Sequence, residues 1–365
     1  MSSRFVFHSL PIADRIAVVS RRVATVTIRD VAREAGVGLM TVSRVINRVP
    51  GKKFSEATAQ RVREAIKLLG YEPNHVARSL RGQRSGVIGL ITTNIADPFW
   101  ASCARGVELE ARKQNYVPIL VASDEDCLLE ERQVAALQAH RVDGLLLVST
   151  YRSKRTTLTS RLARTPTVAI DRPIAGFKTD CVLVHNHEAT YDATRHLIGH
   201  GHRRIAFVGY GEHLYTVRER IDGYQRAMSE AGLECMVRAD ASGPATAQHL
   251  ARELLSAKWP PTAMFASNTL VMHGILEAAH NLGLSIPEDL ALAGFEDFRW
   301  AGLVRPGLTV VRQPGEEMGR RAAQMLFERL AGKKGPPQRV VLDTELIIRE
   351  SCGCGTPAVL TAATA

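Results

Sequence analysis

TIRDVAREAGVGLMTVSRVIN, residues 27–47, reads as two short helices around a tight turn. Thr27 is placed to cap the first helix, with Asp30 at the third position as a capping-box-like partner. That helix is expected to run to about Ala35 and stop at Gly36, with Gly36-Val37-Gly38 as the turn and residues 39–47 as the second helix. The basic loop RVPGKKF (48–54) follows. Ser55 then opens a third helix with Val62, Ile66 and Leu69 on one face, ending at Gly70. Helix, glycine turn and helix make a helix-turn-helix, which sets the start of its second helix against base edges in the DNA major groove. Leu39, Met40 and Thr41 lie at that start, with Ser43 and Arg44 one turn on. Arg44 can pair bidentately with guanine. Thr41, Ser43 and Asn47 suit phosphate oxygens, while Leu39 and Met40 offer apolar contact, for example to thymine methyls. A small structural helical bundle would show the same pattern, so charge has to be weighed beside it.

The chain has 365 residues and a net charge of +10. Residues 1–85 hold 16 Lys/Arg against 6 Asp/Glu, an excess of ten, and the remainder is balanced at 31 of each. A basic head on a neutral body points to a polyanion-binding module joined to a separate sensor or catalytic body; the alternative is a solvated basic face. In YEPNHVARSLRGQRSG (71–86), Pro73 breaks the chain and Asn74 is a good N-cap. Residues 75–81 could make two helical turns before Gly82, too few to hold alone in water. These readings give a head over 25–72 and a hinge helix and linker over 73–85.

From Val87 the pattern changes. VIGLI, VPILVA, GLLLV, TVAI, RIAFVG, TAMFA and LALAGF are short buried-strand runs, alternating with helix-length segments such as 99–114 and 130–140. That rhythm predicts an α/β body over 86–354 with two doubly wound parallel-sheet lobes. Residues 331–339 (AGKKGPPQR) read as a turn-rich link and 355–365 as a low-complexity, disordered tail. Residues 1–24 show no helical or strand period and read as a loose tail, consistent with an upstream start codon. Asp14 and Arg15 interrupt the early apolar patches, so no signal peptide is expected. No apolar run approaches the roughly 18 residues of a membrane span. Hydrophobic residues at 45% and charged residues at 23% exclude disorder as the dominant state. Six cysteines in this length are no disulfide scaffold, and a reducing, cytoplasmic setting is expected.

The segments TIRDVAREAGVGLMTVSRVIN and LGYEPNHVARSLRGQRSGVIGL together resemble the lactose-repressor (LacI/GalR) family of bacterial transcription regulators, a resemblance covering about residues 26–354. It implies a head that binds a palindromic DNA operator as part of a homodimer and a hinge helix that enters the minor groove. It also implies a body like a periplasmic binding protein that holds a small effector, with no cofactor and no membrane partner. Leu39, Met40 and Arg44 fall on the family's base-reading positions. Thr27, Ile28, Gly38, Thr41, Ser43 and Asn47 fall on backbone-contact positions. Leu80 falls on the leucine that wedges between base pairs, with Asn74, Ala77 and Arg81 beside it. Two departures stand out: Gly38 replaces a usual serine, and the 48–54 loop, with Lys52 available to phosphate, is about two residues longer than usual.

In two-lobed α/β binders the ligand sits between the lobes at strand ends. Here those ends carry TTNIADPFW, Asp171-Arg172-Pro173, Arg218 and Arg220, Ser267-Asn268 and Glu296-Asp297. The resemblance places Phe99, Trp100, Asp171, Arg220, Asn268 and Glu296 on effector-contacting positions. Thr269 and Glu296 each stand where the family usually has aspartate. Ala241 stands where relatives that bind sugars or purines often place an aromatic ring, which argues against stacking on a flat purine. A sugar or sugar acid is the expected effector.

An enzyme lacks support. VGYGEHL is a fragment of a dinucleotide fingerprint without its third glycine, and neither a phosphate loop nor a nucleophile elbow occurs. His185-Asn186-His187 and His200-Gly201-His202 read as surface histidines without cysteine or carboxylate at ligand spacing, and no metal is expected. Cys352-Gly353-Cys354 is assigned no chemistry, and Cys103, Cys127, Cys181 and Cys235 read as buried or semi-buried thiols. The competing class is a solute-binding or sugar-processing protein with an accessory basic head.

Overall fold

The computed structural model describes residues 26–47, 55–71, 84–150, 156–354 and 358–361. The chain divides into two units between Gln83 and Arg84. The first holds α1 (Ile28–Glu34), α2 (Leu39–Asn47) and α3 (Glu56–Leu69). The Asp30 carboxylate accepts from the Thr27 N–H at 2.9 Å and from the Thr27 hydroxyl at 2.7 Å. The start of α1 is therefore tied mainly through the aspartate. Gly36 (φ 62) and Gly70 (φ 61) both take the left-handed backbone that the turn and the helix end require. Ser55 accepts from the Thr58 N–H at 3.2 Å and caps α3. Val31, Ala32, Ala35, Val42, Val62 and Ala65 form the core of this unit. Val42 is fully buried, a contribution of about 1.5–3 kcal/mol from one side chain.

The second unit has two lobes. The first lobe's sheet is wholly parallel, in the order β11-β5-β4-β3-β1-β2. Its strands are β1 (Val87–Thr92), β2 (Val117–Ala122), β3 (Gly144–Leu147), β4 (Thr167–Ile170), β5 (Asp180–Val184) and β11 (Arg339–Leu342). One face packs α4 (Pro98–Lys113) and α11 (Gly315–Leu330), and the other packs α5 (Cys127–Ala139) and α6 (Thr156–Leu162). At the α4–α11 crossing, a Cβ on Gly106 would lie 1.9 Å from the Glu316 carbonyl oxygen, and one on Gly319 would lie 1.9 Å from that of Cys103. Only glycine permits that approach.

The second lobe's sheet runs β13-β12-β10-β9-β8-β6-β7. It uses β6 (Ile205–Tyr210), β7 (Met236–Ala241), β8 (Ala263–Ala266), β9 (Ala291–Phe295), β10 (Thr309–Arg312), β12 (Glu345–Ile348) and β13 (Ala358–Thr361). It is parallel through β10 and antiparallel at β12 and β13. Helices α7 (Asn186–Gly199), α8 (Tyr215–Glu230), α9 (Pro244–Leu255) and α10 (Thr269–Asn281) cover its faces. The chain crosses between lobes after β5, after β10 and after β11. The disordered tail expected from residue 355 is corrected over Ala358–Thr361, whose backbone hydrogen-bonds to β12. The expected link ends one residue early, because Arg339 opens β11 against β5. Among the described residues, no helix is long and apolar enough to cross a membrane.

Candidate functional site

The start of α2 is the outstanding surface of the first unit. Met40 is 69% exposed and Leu39 39%, while Val42 of the same helix is fully buried. Thr41, Ser43 and Arg44 are half-buried beside them. Apolar side chains held out of an available core cost solvation, which a DNA surface would relieve. Thr27 is exposed, and Ile28 packs against the head core. Gly38 is exposed, its carbonyl accepts from the Thr41 N–H at 2.9 Å, and an added Cβ would meet nothing within 4 Å. The backbone of Asn47 ends α2. Lys52, Asn74, Ala77, Leu80 and Arg81 lie outside the described residues.

In the second unit, all six residues nominated from the sequence line one cavity of about 250 Å³ between the lobes. Phe99 and Trp100 come from the start of α4, their rings edge to face with centroids 4.6 Å apart. Asp171 follows β4 and is buried; burial pushes its carboxyl up, against the pull of Arg172 and Arg220. Arg220 on α8 donates from Nε to Asn186 at 2.8 Å and from Nη1 to the Ser267 carbonyl at 2.5 Å. Its guanidinium lies 3.5 Å from the Phe295 ring centre, and burial lowers its pKa to about 10. Asn268 spends its side-chain oxygen on capping α10 through the Val271 N–H at 2.9 Å.

The two departures from the family pattern meet each other. The Thr269 hydroxyl donates to Glu296 Oε2 at 2.6 Å, and Gln313 donates to Oε1 at 3.4 Å. Threonine cannot repel the carboxylate as a second aspartate would, and the longer glutamate reaches its hydroxyl. Glu296 is pushed up to about 7 by burial, with repulsion from Asp97 adding to it. Of six described non-glycine residues with left-handed φ, four line this cavity: Asp124, Glu125, Asp171 and Glu296. Such strained backbone persists where tertiary contacts hold it, and it concentrates at binding sites.

Other nominated residues turn out to have different work. Asp297 receives Arg312 at 3.0 Å and Arg349 at 2.9 Å, so it braces the second lobe. Arg218 is exposed and off the cavity. Sequence reasoning missed Glu125, Tyr210 and Gln313. Glu125 binds Arg172 at 2.8 Å and was readable in the acidic turn after VPILVA. Tyr210 lies beyond an irregularity in the β6–β7 register, which re-aims the strand end. Gln313 follows β10, a four-residue strand too short to stand out.

The histidine and cysteine readings need correction. His185 has Glu188 and Asp343 carboxylates at 3.7 Å. His200 Nε2 lies 2.9 Å from Cys354 Sγ, 154 residues away, so a cysteine does lie beside it. Cys235 is exposed, whereas Cys103 and Cys181 are buried.

A helix-turn-helix unit and a two-lobed α/β unit with a polar interlobe cavity together have the architecture of a DNA-binding regulator. Comparison with known proteins agrees. Residues 27–74 match the model for bacterial regulatory proteins of the lacI family, and residues 194–352 match a periplasmic binding protein-like domain. The HTH-type transcriptional repressor PurR of Mannheimia succiniciproducens is 31% identical over 329 residues, 89% of this chain and 98% of that one. A structure of a transcriptional regulator CelR–cellobiose complex is 31% identical with a TM-score of 0.66, covering 89% and 99% of the two chains. The lac repressor dimer bound to operator and the anti-inducer ONPF shares the fold, with a TM-score of 0.79 at 22% identity over 90% of this chain and 99% of that one. This chain belongs to the lacI family of bacterial regulatory proteins. It is a DNA-binding transcriptional repressor of that family, and its relatives are regulators rather than enzymes.

Proposed function

We propose that this repressor binds a palindromic operator as a homodimer and that a neutral sugar held between the lobes modulates that binding. The observation carrying the effector reading is the convergence of Phe99, Trp100, Asp171, Arg220, Asn268 and Glu296 on one cavity. Sugar hydroxyls donate to carboxylates, and a sugar ring packs on aromatic faces. Five acids (Asp97, Asp124, Glu125, Asp171, Glu296) and two arginines line the space, and Arg172 is already paired with Glu125 and Asp171. The cavity therefore offers an anionic ligand little uncommitted positive charge, and a neutral sugar is favoured over a sugar acid. The volume, about 250 Å³, lies below the roughly 300–1,000 Å³ of drug-sized sites and suits one sugar ring. The cellobiose complex of a 31% identical relative supports the same ligand class.

The dimer reading rests on β2, the edge strand of the first lobe. Val117 is 62% exposed, Ile119 and Leu120 are also exposed, and Leu128 projects nearby in sequence from α5. A bare apolar edge is a pairing liability unless covered, and a two-fold partner covers it while presenting two heads to a palindrome. In this reading Arg44 reads a guanine and Lys52 holds phosphate, with Leu80 wedging the minor groove from a hinge carrying Asn74, Ala77 and Arg81. The body binds and does not catalyse.

The test is a melting-temperature screen of neutral monosaccharides beside the corresponding aldonic and uronic acids, followed by titration of the hit against operator-bound protein. Neutral sugars should raise the melting temperature and the acids should not. Arg220→Ala, checked for folding by circular dichroism, should lose the operator response to sugar. An Arg220→Ala protein that responds with an unchanged midpoint would overturn the cavity assignment.

A further inference from the structure

We propose that His196, His200 and Cys354, with Cys352 as fourth ligand, form a binding site for a divalent d-block cation of the zinc type in the second lobe. His196 and His200 stand four residues apart at the end of α7, so both imidazoles project from one side, with ring centroids 4.6 Å apart. The chain's last segment supplies the thiols. A short 3-10 turn (Glu350–Cys352) and Gly353 at φ 83 fold Cys352 and Cys354 onto the same side. The ligand atoms of His196, His200 and Cys354 all lie within 4.8 Å of one another. Cys354 Sγ is 2.9 Å from His200 Nε2 and 3.1 Å from His196 Nε2. Cys352 Sγ is 2.9 Å from Cys354 Sγ and 3.3 Å from His196 Nε2.

Zinc bonds of about 2.3 Å to sulfur and 2.0–2.1 Å to nitrogen put tetrahedral ligand atoms about 3.3–3.8 Å apart. The four sulfur–nitrogen and sulfur–sulfur spacings above reach that range with shifts below about 1 Å. His196, His200 and Cys354 form the compact group, and rotation of the Cys352 thiol would bring it to the fourth position. Two imidazoles and two thiolates are the donor set of structural zinc, and their charge cancels that of a divalent ion. A neutral complex suits the surroundings, because Cys352 and Cys354 are buried within the apolar core of this lobe. His200 is exposed and gives the ion a route in. The site would fasten the end of α7 to the segment after β12. It is separate from the sugar cavity, since His196 lies ten residues along α7 from Asn186, about 15 Å at the helical rise.

The test uses the full-length chain without an affinity tag, purified under reducing conditions. Its zinc content is measured after equilibration in a zinc buffer, and cobalt(II) is then titrated in zinc's place. The expected result is one ion per chain, with visible bands and a thiolate charge-transfer band typical of tetrahedral cobalt. His200→Gln, at an exposed position, and Cys354→Ser should each weaken binding at least about tenfold, while His202→Gln should not. Equal affinity in wild type, His200→Gln and Cys354→Ser would overturn the proposal. So would a reduced, folded protein that takes up neither ion, or a metal-free protein whose intact mass shows a Cys352–Cys354 disulfide under the same conditions.

Discussion

On the proposed reading, the exposed face of α2 and the cavity between the lobes solve recognition in opposite ways. The face is local: nine consecutive residues place Val42 in the core and leave Leu39 and Met40 bare. The cavity gathers residues from Thr93 to Gln313, and three of its charged side chains, Arg172, Glu125 and Asp171, are already paired with one another. A DNA surface supplies its own charge and shape, so an exposed set of donors on one helix suffices to read it. A small ligand brings little, so its site has to be built beforehand, with buried acids, held arginines and backbone in strained conformations.

Removing residues 1–83 is the most severe way to break this comparison. DNA binding should disappear, while the remaining unit, which contains four of the five hydrophobic cores, should still melt cooperatively and respond to sugar. For the intact chain, affinity should fall steeply with salt through counterion release. A truncated protein that shifts DNA in a gel would contradict the division of labour.

A smaller effect is expected from Arg44→Ala, about 1–3 kcal/mol of operator affinity with relaxed preference at one guanine per half-site. Competition binding with specific and random duplexes measures it. Equal losses on both would mean that Arg44 touches only phosphate.

The cavity should respond to pH. Burial holds the Glu296 proton in the folded protein up to about pH 7, whereas the unfolded chain releases it near the ordinary value of 4.5. Between those values the folded state binds more protons, so this group makes stability fall as pH rises. Glu296→Gln, which keeps an acceptor for Thr269, should flatten the drop in melting temperature from pH 5 to pH 7. Some slope should remain, because burial also raises Asp97 and Asp171. An unchanged slope would remove Glu296 as its source.

The mildest change is Gly38→Ser. The position is open, and a hydroxyl there can cap α2. Serine should add a few tenths of a kcal/mol to head stability, read as a rise in the head's melting temperature. A fall instead would show that glycine is needed there for its backbone.

The sequence by itself determined the three helices of the head, the glycine turn, the seven apolar strand runs and the two-lobed plan. These follow from periodicity, caps and charge, which act over a few residues. It also nominated six cavity residues, because strand ends in α/β lobes face the ligand by construction. The tertiary structure alone decided that Thr269 and Glu296 bond each other, that Gln313 and Tyr210 reach the cavity, and that Asp297 is a brace. It alone joined His196 and His200 to Cys352 and Cys354. Strands β7 and β11 escaped because they are half-exposed edges without a long apolar run, and β13 because its sequence is small and plain. The side-chain contacts share one physical reason, distinct from that of the strands. Pairing between residues 27 to 158 positions apart is set by chain crossings and sheet order, on which local propensity has no bearing.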